Sequence, residues 1–279
     1  LLRKKKKNTS FTLFLFIIVV FVLFIFLRKQ PLEKKEGPPS TGKEIGEIKP
    51  SFPEEPVYRI AVIIDDVGYP SEMLEQYFWF EGKLSFSVLP FLEKSSDHAR
   101  LLHEHGFEIL VHIPMEPVDY PAIDPGPNAL LLTDARRTVE QKIWMMIREN
   151  PYAVGANNHM GSRATQDPEM MLWTMSVLGQ AGFYFIDSVT SPKTCAFNYA
   201  LQEKLPAARR DVFLDNVDSY SAIDAQFEKL KQIAKKRGTA IGVGHIQRTH
   251  ILPVLNAQFE RLEAENISLV FASEATKIN

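Results

Sequence analysis

Cysteine is nearly missing from the chain: Cys195 is the one thiol among 279 residues. A lone cysteine excludes an internal disulfide and a cysteine-built zinc framework. Its scarcity suits an oxidising compartment. Nothing around Cys195 marks an activated thiolate, so a cysteine nucleophile is set aside as well. An excess of one charge is also lacking. The formal net charge is −2, which leaves no basic field to hold nucleic acid. No Gly-x-Gly-x-x-Gly follows the first strand pattern and no Walker loop occurs, which argues against a nucleotide ligand. No repeat of fixed period is found, so solenoids and propellers drop out.

A long apolar run is present near the amino terminus. Residues Phe11 to Leu27 carry no charge. These 17 residues rise about 25 Å as a helix, a little short of a hydrocarbon core of roughly 30 Å. Flanking Thr9, Ser10, Arg28 and Lys29 make up the difference. Arg3 and Lys4 to Lys7 precede the run, so the positive-inside rule keeps residues 1–10 cytoplasmic and exports the rest. Arg-Lys-Gln-Pro follows the run instead of a small-x-small cleavage site. The expectation is therefore an uncleaved transmembrane signal anchor over 11–27, single-pass in a bacterial inner membrane, with the remainder on the periplasmic side. Residues 28–56 hold Pro31, Pro38, Pro39, Pro50, Pro53 and Pro56 among Lys, Glu, Gly and Ser. Such composition reads as an extended tether.

From residue 57 the pattern changes to a domain that runs to 279. Short β-branched or aromatic runs predict strands at Ile60–Asp65, Leu84–Leu89, Phe107–His112, Ala153–Asn157, Phe183–Asp187, Val212–Leu214, Thr239–Gly244 and Ser268–Phe271. Helical patterns lie near 70–80, 94–105, 134–149, 167–180, 197–204, 221–237 and 252–265. Strands apolar on both faces indicate a parallel sheet covered by helices. The fold class is α/β, and seven or eight such units fit a distorted or incomplete (β/α) barrel better than a doubly wound sheet. The segment from Ile113 to about Thr133 carries five prolines and reads as a stiff wall over the site.

The ionisable residues fall at the carboxyl ends of those strands, where parallel α/β folds place their active sites. The ends carry Asp65-Asp66, His112, Asn157-Asn158-His159, Asp187, Asp215 and His245. Buried carboxylates and imidazoles cost several kcal/mol unless paired or bound to a metal. Adjacent Asp65 and Asp66 repel unless a cation or a raised pKa relieves them. Asp187 and Asp215 are each open to a plainer reading as helix caps. His98, His103 and His105 read as surface, and His250 as structural near a helix start. Trp79, Trp144 and Trp173 fall in helical patterns and read as core or helix surface. Two histidines and a carboxylate with open positions form a metal site that activates water. A second carboxylate can take the proton of that water and a further histidine can protonate the leaving amine. The same ligand set can also hold Fe(II) for oxygen chemistry.

Taken in order, the segments Ile63-Ile64-Asp65-Asp66-Val67-Gly68, His112-Ile113-Pro114-Met115-Glu116-Pro117, Pro125-Gly126-Pro127-Asn128-Ala129-Leu130, Asn157-Asn158-His159-Met160-Gly161-Ser162, Phe185-Ile186-Asp187-Ser188, Asp211-Val212-Phe213-Leu214-Asp215 and Gly244-His245 resemble the divergent polysaccharide deacetylases of bacterial envelopes. The likeness runs from about 58 to 274. It implies a distorted (β/α) barrel with a zinc-type centre that deacetylates N-acetylated or O-acetylated glycans. It further implies Asp65 as general base, Asp66, His112 and His159 as metal ligands, and His245 as general acid. Asp187 would lie beside the site and orient a partner. Asn158, Met115, Arg163 and Asp215 are expected to line the substrate, with Arg163 pairing with a carboxylate. The better-known deacetylases carry two ligand histidines spaced His-x-x-x-His; here Glu116 stands four residues after His112, and His159 takes the third place. An envelope factor that keeps the cleft but has lost turnover is the competing reading, against which the Asp65 and His245 pair argues.

Overall fold

The computed structural model describes residues 58–277. The basic stub 1–10, the expected membrane-spanning run 11–27 and the tether 28–56 lie outside the described residues. Among those described, no helix is long and apolar enough to cross a membrane.

Nine strands form one parallel sheet: β1 (Tyr58–Val67), β2 (Ser85–Val88), β3 (Glu108–Met115), β4 (Ala153–Met160), β5 (Tyr184–Asp187), β6 (Ala207–Arg209), β7 (Val212–Phe213), β8 (Thr239–His245) and β9 (Ile267–Val270). Their order is β6-β5-β4-β3-β2-β1-β8-β7, with β9 on the amino-terminal half of β1. The helices are α1 (Leu74–Tyr77), α2 (Ser95–Glu104), α3 (Arg136–Glu149), α4 (Pro168–Gln180), α5 (Ala196–Gln202), α6 (Tyr220–Arg237), α7 (Ile251–Leu262) and α8 (Ala272–Ala275). All eight expected strands are present. The helix expected over 70–80 shrinks to α1, because Tyr77 and Phe80 both turn into the core. The three residues of β6 had no apolar run to announce them.

Side-chain alternation sorts the sheet into two faces. Ile60, Val62 and Ile64 of β1 join Ile109, Val111 and Ile113 of β3 in the outer core beneath the helices. Ala61, Ile63, Leu110, Tyr184, Ile186, Ile241 and Val243 point the other way and pack into a smaller inner core. Helix spacing matches that outer layer. In α6 the buried Ile223, Phe227, Leu230 and Ala234 recur at helical intervals. Its Ser219 cap accepts the Ala222 N–H at 3.3 Å, and Gly238 ends it in the left-handed region.

The two edge strands are consecutive in the chain. Arg210 and Asp211 join them, the first donating its N–H to Asp187 O (2.9 Å) and the second to Ile241 O (2.8 Å). The sheet therefore curls until its edges meet across a two-residue link, with no ladder between β6 and β7. This is the incomplete barrel expected from the sequence rather than a doubly wound sheet. At its floor, buried Glu108 accepts hydrogen bonds from Ser85 Oγ and Tyr184 OH, both at 2.8 Å. Below β4, Gly155 lies under the Tyr184 ring, and a Cβ there would come within 2.4 Å of it.

Gly155→Ala is expected to destabilise the domain by about 1–3 kcal/mol through overpacking, because Tyr184 is pinned at its hydroxyl and cannot swing aside. Urea unfolding measures this; an unchanged midpoint would mean that the ring has room to move.

Candidate active site

Strand alternation decides which residues meet. Asp65 follows Ala61 and Ile63, His112 follows Leu110, and His245 follows Ile241 and Val243. All three therefore face the inside of the curl, at its carboxyl mouth. Asn157 and His159 share that face of β4, and Asn157 sits opposite His112 in the register. Asp65 sits opposite His245. Asp66 follows Asp65 directly and by alternation should point away. It does not, because β1 breaks register between Ile64 and Val67 and Asp66 adopts φ 64°. Met160 (φ 51°), the last residue of β4, and Val189 (φ 49°), two residues past β5, also occupy the left-handed region. Such backbone costs about 1–3 kcal/mol per residue and gathers at functional sites.

Asp66 Oδ1, His112 Nε2 and His159 Nδ1 form a small triangle. The two nitrogens lie 3.2 and 3.0 Å from the oxygen and 3.2 Å from each other. Asp66 Oδ1 is buried and has no aligned hydrogen-bond donor. Three lone-pair atoms crowded in this way suit one ion, since donors about 2.0–2.2 Å from zinc stand roughly 3 Å apart. Burial raises the Asp66 carboxyl, but the imidazoles of His112 and His159 outweigh it and hold the pKa far below the carboxylate range. The donor set therefore fits a divalent metal.

Asn157 holds the neighbours in place. Its Nδ2 donates to Asp65 Oδ1 at 2.8 Å. Its Oδ1 accepts from His112 Nδ1 at 2.7 Å and from the Ser87 hydroxyl. The amide orientation follows from this chemistry, since a carboxylate needs a donor and a hydroxyl can give one. His112 must then carry its proton on Nδ1, which leaves Nε2 free to ligate. In sequence, Asn157 is visible only as a polar residue near the end of its strand. The signal was available: it stands two residues before His159, on the same face.

Asp65 Oδ2 lies 3.6 Å from His112 Nε2. Burial raises the Asp65 pKa, with Asp66 adding to the effect and His112 and His245 opposing it. His245 donates from Nδ1 to Asp215 Oδ1 at 2.9 Å, and its backbone N–H goes to the other carboxylate oxygen. Burial lowers the imidazole pKa, but Asp215 first and then Asp65 outweigh it and push it up to about 9. His245 is thus a protonated imidazolium at neutral pH.

Several expectations are corrected here. Asp187 falls on the outer face with Phe185, and its oxygens accept from Val189 N (2.9 Å), Thr194 Oγ1 (3.1 Å) and Phe197 N (3.3 Å). It fastens the loop into α5, and burial raises its pKa. Met115, Asn158 and Asp215 are too buried to touch a substrate. Met115 packs against Gly161, Asn158 ties Ser188 N and Met160 O, and Asp215 serves His245. Arg163 is half exposed and does pair with a carboxylate, Glu116, at 2.9 Å. Glu116 takes the place of a ligand histidine by anchoring structure: it also accepts Leu132 N at 2.7 Å. The proline-rich loop is closed by these bonds and by Val118 N to Ser162 Oγ (3.1 Å), beside the end of β4. His98 is buried and not a surface residue, whereas Trp79 stands out in a turn at 87% exposure. His250 pairs with Asp218 at 3.0 Å at the start of α7.

The architecture is a curled, incomplete α/β barrel with an aspartate and two histidines at its mouth that could hold one ion. The chain belongs to the divergent polysaccharide deacetylase family, whose sequence model matches residues 62–276. An uncharacterized protein of Haemophilus influenzae is 31% identical over 217 residues, covering 76% of this chain and 74% of that one. The uncharacterized protein YibQ of Escherichia coli K12 is 33% identical over 187 residues, 67% of this chain and 58% of YibQ. The crystal structure of an uncharacterized protein from Agrobacterium tumefaciens C58 shares the fold, with a TM-score of 0.75 at 21% identity, over 80% of this chain and 91% of that one.

Two outcomes follow from the geometry. Asn157→Asp sets a carboxylate against Asp65 and is expected to weaken metal affinity about 10- to 100-fold; competition with a chromogenic chelator reads this, and unchanged affinity would sink the bridging role. In metal-free protein, the His245 pKa near 9 exceeds its unfolded value of about 6.5. Its stabilisation is complete below the lower value and is lost as pH rises through the upper one. The melting temperature should therefore fall between these pH values, and His245→Gln should flatten that fall.

Proposed function

We propose that the chain is a metal-dependent hydrolase that removes acetyl groups, N-linked or O-linked, from envelope or exported glycans. The observation that carries the reading is the triangle of Asp66, His112 and His159, set beside the paired strand positions of Asp65 and His245. Asp66, His112 and His159 would hold a divalent ion, zinc by the donor set, which would lower the pKa of a water toward neutrality and polarise an amide carbonyl.

The side chains supply the rest. Asp65, oriented by the Asn157 amide, accepts the proton as water adds to the acetyl carbon. His245, protonated and aimed by Asp215, gives its proton to the departing amine as the C–N bond breaks. Free amine and acetate result. His112 is held in one tautomer throughout, so no proton is lost from its outward nitrogen. The pairing of a buried carboxylate with an imidazolium is the division of labour that base and acid roles require. It also favours turnover over a cleft that only binds. The apolar run 11–27 behind Arg3 to Lys7 supports an inner-membrane anchor with the domain on the periplasmic side.

Elemental analysis of purified protein is expected to find one divalent metal per chain, and His112→Ala or His159→Ala to lose it. Asp65→Asn should keep the metal while acetate release from chitin oligomers or peptidoglycan fragments drops about 10²- to 10⁴-fold. Metal-loaded wild type that binds these glycans and frees no acetate would overturn the hydrolase reading.

A further inference from the structure

Arg210, one of the two residues in the link between β6 and β7, is the unexplained charge at the mouth. Its Nε donates to Ser188 O at 2.7 Å and its Nη2 to Val189 O at 3.0 Å. Its guanidinium lies 3.6 Å from the centre of the Phe213 ring. That ring belongs to the inner face and is stacked with the ring of His245 at 5.9 Å. Arg210 therefore sits inside the rim, in line with the acid group of the site, and is partly exposed.

No carboxylate pairs with Arg210 among the described residues; its partners are two backbone carbonyls and a ring. The other charges at the mouth are matched. Asp215 faces His245, Glu116 faces Arg163, and Asp187 has Arg209 at 3.9 Å. Asp65 and Asp66 balance a divalent ion. A guanidinium has five N–H groups, and the two carbonyls use two of them. The loop that supplies those carbonyls is contorted to do so, with β-branched Val189 at φ 49°. A residue needed only to staple the seam could be neutral. The carboxylates of Asp187, Asp65 and Asp211 favour the Arg210 charge through space but do not offset its burial, none is within ion-pair reach, and a rigid planar fork with N–H groups to spare is suited to a carboxylate.

We propose that Arg210 determines specificity by receiving a carboxylate carried on the sugar, so that the substrate is an acidic glycan. This rests on the deacetylase reading for its substrate class, and the test separates the two. N-acetylmuramic acid and N-acetylglucosamine differ by one lactyl carboxylate, and both are offered to the full-length, metal-loaded protein. Calorimetry is expected to show about tenfold tighter binding of the acidic sugar, the worth of one charge-assisted hydrogen-bond pair. Arg210→Gln should erase that ratio, so that the variant binds the acidic sugar no more tightly than it binds N-acetylglucosamine. Arg210→Lys should keep part of it. In wild type the ratio should also shrink as salt rises, a measurement that stands even if the Gln variant melts too low to assay. A ratio near one in wild type, a ratio untouched by the Gln change, a salt-insensitive ratio, or no binding of either sugar overturns the proposal. A ratio that behaves as expected while neither sugar loses acetate upholds Arg210 and defeats the hydrolase reading instead.

Discussion

Two carboxylates next to each other in the chain, at the rim of a low-dielectric barrel, repel strongly, and the site is built around relieving that repulsion. The relief is divided. Asp66 is turned by a break in register toward two imidazoles. Asp65 stays in line with its strand and meets the amide of Asn157. Because the same amide accepts from His112, the two halves are coupled: whatever rotates Asn157 disturbs both the base and a ligand. Ser87 closes the circuit from the next strand. Apart from Asp66, each of these groups lies on the inner face by parity, so one slip in pairing would remove them together.

The fold and the main site residues were legible because both rest on local rules. Strand runs and helix periods gave the α/β alternation, and a polar residue at the end of an apolar run is visible without coordinates. What stayed hidden was direction. Asp187 and Asp65 look alike in sequence, each ending a strand, yet they fall on opposite faces because their strands enter with different phase. Asn157 and Asn158 are neighbours with opposite duties for the same reason. Asp215 could not be assigned since its partner, His245, is thirty residues away. Three-residue β6 is held by its neighbours and not by its own composition.

Glu116, four residues after His112, serves the loop and not the triangle of candidate ligands. Its carboxylate is spent on Arg163 and on the backbone of the returning proline-rich loop, which becomes a fixed feature of the mouth. The third candidate ligand, the second nitrogen donor, comes from β4 instead, on the face that Asn157 already shares. Metal holding and loop anchoring thus fall at different points of the same strand, His112 within β3 and Glu116 just past its end.

The position of β1 also has a consequence for biosynthesis. It is the first strand of the domain, yet two of its three neighbours, β8 and β9, lie at the far end of the chain. At about 5–20 residues per second, a ribosome takes on the order of 10–40 s to deliver the partners of the first strand. Through that interval one edge of β1, a strand buried along most of its length, stays bare. His245 can join Asp65 only once β8 has been delivered to its place beside β1.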